Sequence, residues 1–225
     1  MTIQALIFDV DGTLAETEEI HRAAFNRVFA EERLDWRWDV DLYRDLLKTT
    51  GGKERMCAYA GRIDHAVEPE RIQRMHLAKN DHYGAMVRGG EAHLRPGVED
   101  LIRRAHAAGL KLAICTTTSR ANIDALIEAT LGVEGFALFD VIVCAEDAPV
   151  KKPAPDAYLL ALKQLGLPAS ACLAFEDSRN GLAAARAAGI ATVVTPGIYT
   201  AHENFEGAAV VLPSLEGFDW RLFAD

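Results

Sequence analysis

The stretch "LIFDVDGTLAET", residues 6–17, places two aspartates, Asp9 and Asp11, directly behind a short apolar run. A strand rich in Ile, Leu and Phe with no alternation is one buried on both faces. Ending it on two like charges is costly unless the charges do something together. Similar runs recur downstream: "KLAICTT" (111–117), "DVIVCA" (140–145), "CLAFED" (172–177), "ATVVT" (191–195) and "AVVLP" (209–213). Between them lie "GVEDLIRRAHAAG", "ANIDALIEATLG", "DAYLLALKQLG" and "NGLAAARAAG", helical in pattern and each stopped by glycine. Strand and helix alternate, so the expected core is an α/β, Rossmann-like, doubly wound parallel sheet.

Residues 16–88 break this rhythm. "EEIHRAAFNRVFAEE", "DLYRDLLK", "GKERMCAYAG" and "EPERIQRMHLAKNDHYGAMV" read as amphipathic helices with no strand among them. The expected division is a core of 1–15 and 89–225 with an inserted helical cap of 16–88. The 225 residues are half hydrophobic and a quarter charged, enough for a sizeable core. The net charge of -9 argues against general affinity for nucleic acid or an anionic membrane. An anionic substrate would therefore need a locally basic site. Cys57, Cys115, Cys144 and Cys172 form no CxxC pair, and three lie in or beside strand-like runs. They read as free thiols of a reducing cytoplasm. No signal peptide or membrane-spanning stretch is evident, and a monomer is the default expectation.

Ligands of parallel α/β sheets sit at the carboxyl ends of the strands. Asp9 and Asp11 fall there, and a hard divalent cation such as Mg²⁺ would relieve their repulsion. A turn capped by aspartate is the plainer alternative. "CTTTSRAN" (115–122) sets Thr116 at a strand end and Ser119 at a helix start, as an anion site or simply as a cap. "VKKPAPDAY" (150–158) offers Lys151 and Lys152, and "FEDSRNG" (175–181) adds Glu176 and Asp177. Each signal alone is modest. All four, in this order and each at a strand end, exceed what capping explains.

Taken together, "DVDGT", "TTTS", "KKPAPD" and "ED" resemble the four motifs of the haloacid dehalogenase superfamily. Within it the chain is most similar to the CbbY-type sugar phosphatases and their neighbours, the β-phosphoglucomutases. The resemblance implies Asp9 as nucleophile and Asp11 as general acid and base. It implies Thr116 and Lys152 as phosphoryl holders. Mg²⁺ would be bound by Asp9, the Asp11 carbonyl and Asp177, with Glu176 as a ligand or its support. An aspartate at position 11 favours phosphate esters over haloacids or phosphonates. The cap would choose the substrate. Glu18, His21, the loop Thr50, Gly51, Gly52, Lys53 and Arg55, and Lys79 are its candidates, with Thr117, Thr118 and Arg120 beside the phosphate loop. The expected substrate is a phosphorylated sugar. The surplus of cations suggests a bisphosphate, and the CbbY resemblance suggests xylulose 1,5-bisphosphate. A mutase of the β-phosphoglucomutase type is the alternative, and a non-catalytic binding protein the third reading.

Overall fold

The computed structural model describes residues 2–148 and 150–223. Six parallel strands form one sheet: β1 (Ala5–Phe8), β2 (Lys111–Cys115), β3 (Val141–Val143), β4 (Cys172–Glu176), β5 (Ala191–Val194) and β6 (Val210–Val211). Their order is β3-β2-β1-β4-β5-β6. Strand β1 is central, with Ile7 opposite Ala113 on one side and Ala174 on the other. The strand order reverses beside it, which opens a crevice at the carboxyl ends.

All four residues of β1 are buried, as an uninterrupted apolar run requires. Alternation sends Leu6 and Phe8 to one face, with Leu112, Ile114, Leu173 and Phe175. Helices α5 (Val98–Ala107) and α6 (Arg120–Leu131) cover that face through Leu101, Ile102, Ile123 and Leu126. The other face carries the small residues Ala5, Ala113, Cys115 and Ala174 beside Ile7, Val141 and Val143. Helices α7 (Asp156–Leu165) and α8 (Arg179–Ala187) pack there through Ala157, Ala161, Ala184 and Ala185. The glycines that follow these four helices, Gly109, Gly132, Gly166 and Gly189, have φ of 78°, 75°, 69° and 80°. That left-handed turn is the reason each run ends in glycine.

Four helices separate β1 from α5: α1 (Glu18–Glu31), α2 (Val40–Leu46), α3 (Gly52–Arg62) and α4 (Pro69–Met86). They enclose an aromatic cluster of Phe25, Phe29, Trp36, Trp38 and Tyr43. Asn26 fixes Trp38 by accepting from its N–H (2.7 Å) and donating to its carbonyl (2.8 Å). The packing does not break cleanly at 16 and 88. Ile20 and Ala24 of α1, Tyr83 of α4 and Val87 belong to the cluster on the sheet. All four cysteines are free; Cys115, Cys144 and Cys172 are buried, and Cys57 is exposed. Among the described residues no helix is long and apolar enough to cross a membrane.

Candidate active site

Strand β1 delivers Asp9 one residue past its end, where the Asp9 N–H still donates to the Phe175 carbonyl (3.0 Å). Strand β4 delivers Glu176 and Asp177 beside it. One oxygen from each of Asp9, Glu176 and Asp177 lies within 4.8 Å of the others, and all three residues are buried. Lys152 stands at the centre of this acidic group. Its ammonium donates to Asp9 Oδ1 (2.6 Å), Glu176 Oε1 (2.6 Å) and the Cys115 carbonyl (2.8 Å). Tyr158 of α7 donates to the same Glu176 oxygen at 2.6 Å.

Ionising all three buried carboxylates against one ammonium would leave two negative charges uncompensated. Burial pushes Asp9 up to about 8, with Lys152 opposing and Glu176 and Asp11 adding to the push. Burial, Asp9 and Glu176 likewise hold Asp177 well above the usual carboxylate range. The Glu176 Oε2 atom is buried without a partner. Gly12, at φ 81°, passes so close that a Cβ there would stand 2.3 Å from Asp177 Oδ2. An all-oxygen donor set, an orphaned carboxylate oxygen and a deficit of two charges fit a hard divalent cation such as Mg²⁺.

Asp11 has a different environment. Thr17 donates to its Oδ1 at 2.5 Å, and His21 Nε2 stands 3.0 Å from the same oxygen. Lys79 of α4 reaches His21 Nδ1 at 2.6 Å, and Tyr83 stacks on the imidazole at 4.1 Å. A charged lysine only donates, so Nδ1 accepts and Nε2–H donates to Asp11. Burial alone would raise Asp11, but His21, Thr17 and Lys79 bring it down to about 2. Burial brings Lys79 down to about 7, opposed by Asp11 and assisted by Arg55.

These groups line a cavity of about 550 Å³ between the strand ends and the helices above them. Thr116, Thr117 and Thr118 line its floor, and the Thr116 hydroxyl accepts from the Thr118 N–H at 3.2 Å. Thr50, Gly51, Gly52, Lys53 and Arg55 line the opposite wall with Glu18, His21 and Lys79. Arg55 is buried. It donates to the Tyr43 hydroxyl (3.1 Å), which donates on to Glu18 (2.8 Å), and Arg55 Nε has no partner. Arg120 departs from expectation. It is exposed, does not line the cavity and pairs with Asp124 at 2.7 Å. Its partner is the residue four positions on along the same helix face.

Several lining residues carry no motif of their own. Gln73, His76 and Asn80 recur on α4 at helical spacing with Lys79, and that spacing was the available signal. His76 is brought down to about 4 by burial, with Lys79, Lys53 and Lys151 adding to it. Cations therefore gather on the helical side of a cleft whose lining as a whole holds more carboxylates than lysines and arginines. Lys151 also joins the two sides, accepting no role at the strand ends but pairing with Glu54 of α3 at 2.9 Å.

The haloacid dehalogenase-like hydrolase family matches residues 3–189. The chain belongs to that family. It is 53% identical to the protein CbbY of Rhodobacter capsulatus over 96% of this chain and 95% of the relative. It is 40% identical to a CBBY-like protein of Arabidopsis thaliana over 96% of this chain and 72% of the relative. A CbbY variant from Rhodobacter sphaeroides, solved in complex with xylulose-(1,5)bisphosphate, superposes with a TM-score of 0.91 at 48% identity, covering 95% of each chain. β-Phosphoglucomutase of Clostridium difficile shares the fold, with a TM-score of 0.79 at 23% identity over 98% of this chain and 95% of that one. The chain is an enzyme of the phosphoric monoester hydrolase class.

Proposed function

We propose that this chain is a Mg²⁺-dependent phosphatase acting on a sugar bisphosphate, with xylulose 1,5-bisphosphate as substrate and xylulose 5-phosphate as product. The observation that carries this reading is a second group of cations across the cleft from the first. Lys152 and Thr116 stand at the strand ends with Asp9, whereas Lys53, Arg55 and Lys79 line the helical wall. A substrate with a phosphate at each end uses both groups. The complex formed by the CbbY variant of Rhodobacter sphaeroides supports the same choice.

An Asp9 carboxylate oxygen forms the new bond to phosphorus as the bond from phosphorus to the sugar oxygen breaks. Asp11 protonates that leaving oxygen. Water then attacks phosphorus, Asp11 takes its proton, and the bond to Asp9 breaks to release phosphate. His21, Thr17 and Lys79 hold Asp11 low in the arrangement described, so it takes up one proton from solvent before the first step, gives it to the sugar oxygen, and regains one from the attacking water. Thr116 and Lys152 hold the phosphoryl oxygens. Asp9, Asp177 and the Asp11 carbonyl would hold Mg²⁺, with Glu176 in support. When bound, the ion supplies charge balance for these carboxylates and the transferring group.

The test compares kcat/KM for xylulose 1,5-bisphosphate and xylulose 1-phosphate in wild type and Arg55→Ala. The wild type should prefer the bisphosphate. Arg55→Ala should lose about ten- to a hundredfold on it and little on the monophosphate, since a charge-assisted contact is worth ~1.5–3 kcal/mol. Equal use of both substrates by the wild type would contradict the reading.

A further inference from the structure

The segment 195–200 that follows β5 touches three separate parts of the molecule. At its start the Thr195 N–H donates to the Glu176 carbonyl at 2.8 Å, directly before Asp177. The carbonyls of Thr195 and Pro196 accept from the Arg95 guanidinium at 2.6 and 2.9 Å. The same guanidinium donates to the Gly12 carbonyl and pairs with Glu16 at 3.3 Å. One arginine thus pins two backbones, one on each side of Asp177.

At its end two consecutive side chains go opposite ways. Tyr199 is 5% exposed and sits in the aromatic cluster of the helical insertion. Its ring meets Tyr43 edge-on at 5.5 Å, and its hydroxyl donates to Glu19 of α1. Thr200 turns the other way. Its hydroxyl accepts from the Gly197 N–H (2.9 Å) and stands 3.2 Å from Asp177 Oδ2. The hydroxyl has one proton to give, and the buried carboxylate is a nearer and stronger acceptor than the Gly197 carbonyl at 3.5 Å.

We infer that residues 195–200 form a strap that positions the metal-site carboxylate Asp177, with Thr200 as the positioning residue and Tyr199 as its anchor in the helical insertion. The inference rests on the reading of Asp177 as a metal ligand. It adds that the placement of the helices over the cleft is felt at the cation site, through neighbours in sequence rather than through substrate. A hydrogen bond of this kind orients a ligating carboxylate and favours its ionised form.

The experiment measures Mn²⁺ binding directly, by the electron paramagnetic resonance of free Mn²⁺, in wild type, Thr200→Val, Thr200→Ser and Tyr199→Leu. Thr200→Val should weaken Mn²⁺ binding about tenfold, the usual cost of losing such a partner. Thr200→Ser keeps the hydroxyl and should bind within about twofold of wild type, the scatter expected where that contact survives. Tyr199→Leu, which touches no carboxylate of the site, should weaken binding in the same direction. Circular dichroism shows which variants fold, and either Thr200→Val or Tyr199→Leu alone decides the matter. Wild-type affinity in a folded Thr200→Val or Tyr199→Leu overturns the strap while leaving the metal site standing. A wild type that binds no Mn²⁺ overturns the metal reading and the strap with it.

Discussion

Asp9 and Asp11 lie two positions apart, yet their surroundings push them in opposite directions, to about 8 and about 2. A divalent cation held by Asp9 and Asp177 would return Asp9 toward the ionised form a nucleophile needs. Asp9 faces other acids and a single lysine. Asp11 faces a hydroxyl and an imidazole on one oxygen, which leaves its Oδ2 for a substrate oxygen. Asp11→Asn should therefore lower turnover of an alkyl phosphate by ~10²–10⁴-fold. Divalent-ion binding should survive, because the backbone carbonyl remains. An aryl phosphate, which needs no proton on its leaving oxygen, should lose less in the first step. Unchanged alkyl ester hydrolysis would remove Asp11 from its role. Asp9, Asp11, Thr116, Lys152, Glu176 and Asp177 were all legible in the sequence, because strand ends place short motifs without help from distant packing. Arg120, expected beside the phosphate loop, lies outside the cavity lining and pairs with Asp124 four residues on in the same helix.

At the level of elements, all six apolar runs are strands and all eight amphipathic stretches are helices. Continuous burial on both sheet faces made the runs unambiguous. The edges were less so. The runs 140–145 and 209–213 shrink to Val141–Val143 and Val210–Val211, each with a neighbour on one side only. At β3 the reason is local: the Cys144 N–H donates to the Asp147 carboxylate at 2.9 Å instead of to a strand. Side chains reading the cleft from α4 were harder to foresee, since the face a helix turns inward depends on what it packs against. The turn after β1 carries its own prediction. Gly12→Ala must place a Cβ at φ 81° and against Asp177. It should cost ~1–2 kcal/mol for the left-handed backbone alone, and weaken divalent-ion binding as well. Thermal denaturation and Mn²⁺ titration check both, and wild-type values for the pair would contradict the close approach.

Across the whole molecule, the net charge of -9 coexists with a cleft where Lys53, Lys79, Lys151 and Arg55 converge. The fold brings cations from α3, α4 and the loop before α7 around one cavity, among a larger number of carboxylates. Core and helical insertion meet around the cavity through Lys151 with Glu54 and Asn180 with Thr50 (3.3 Å), so the cavity is bounded by both. Enclosure of this kind excludes water while the phosphoryl group is transferred. The central claim is that Asp9 carries that group. The most direct test is acid quenching during turnover of xylulose 1,5-bisphosphate, followed by mass spectrometry of the peptide containing residue 9. The wild type should show one added phosphoryl group on Asp9, transient and at full substrate turnover. Asp9→Asn should show none and release no phosphate. Hydrolysis by a folded Asp9→Asn at a tenth of the wild-type rate or more, a loss of only ~1.4 kcal/mol of transition-state stabilisation, would contradict it.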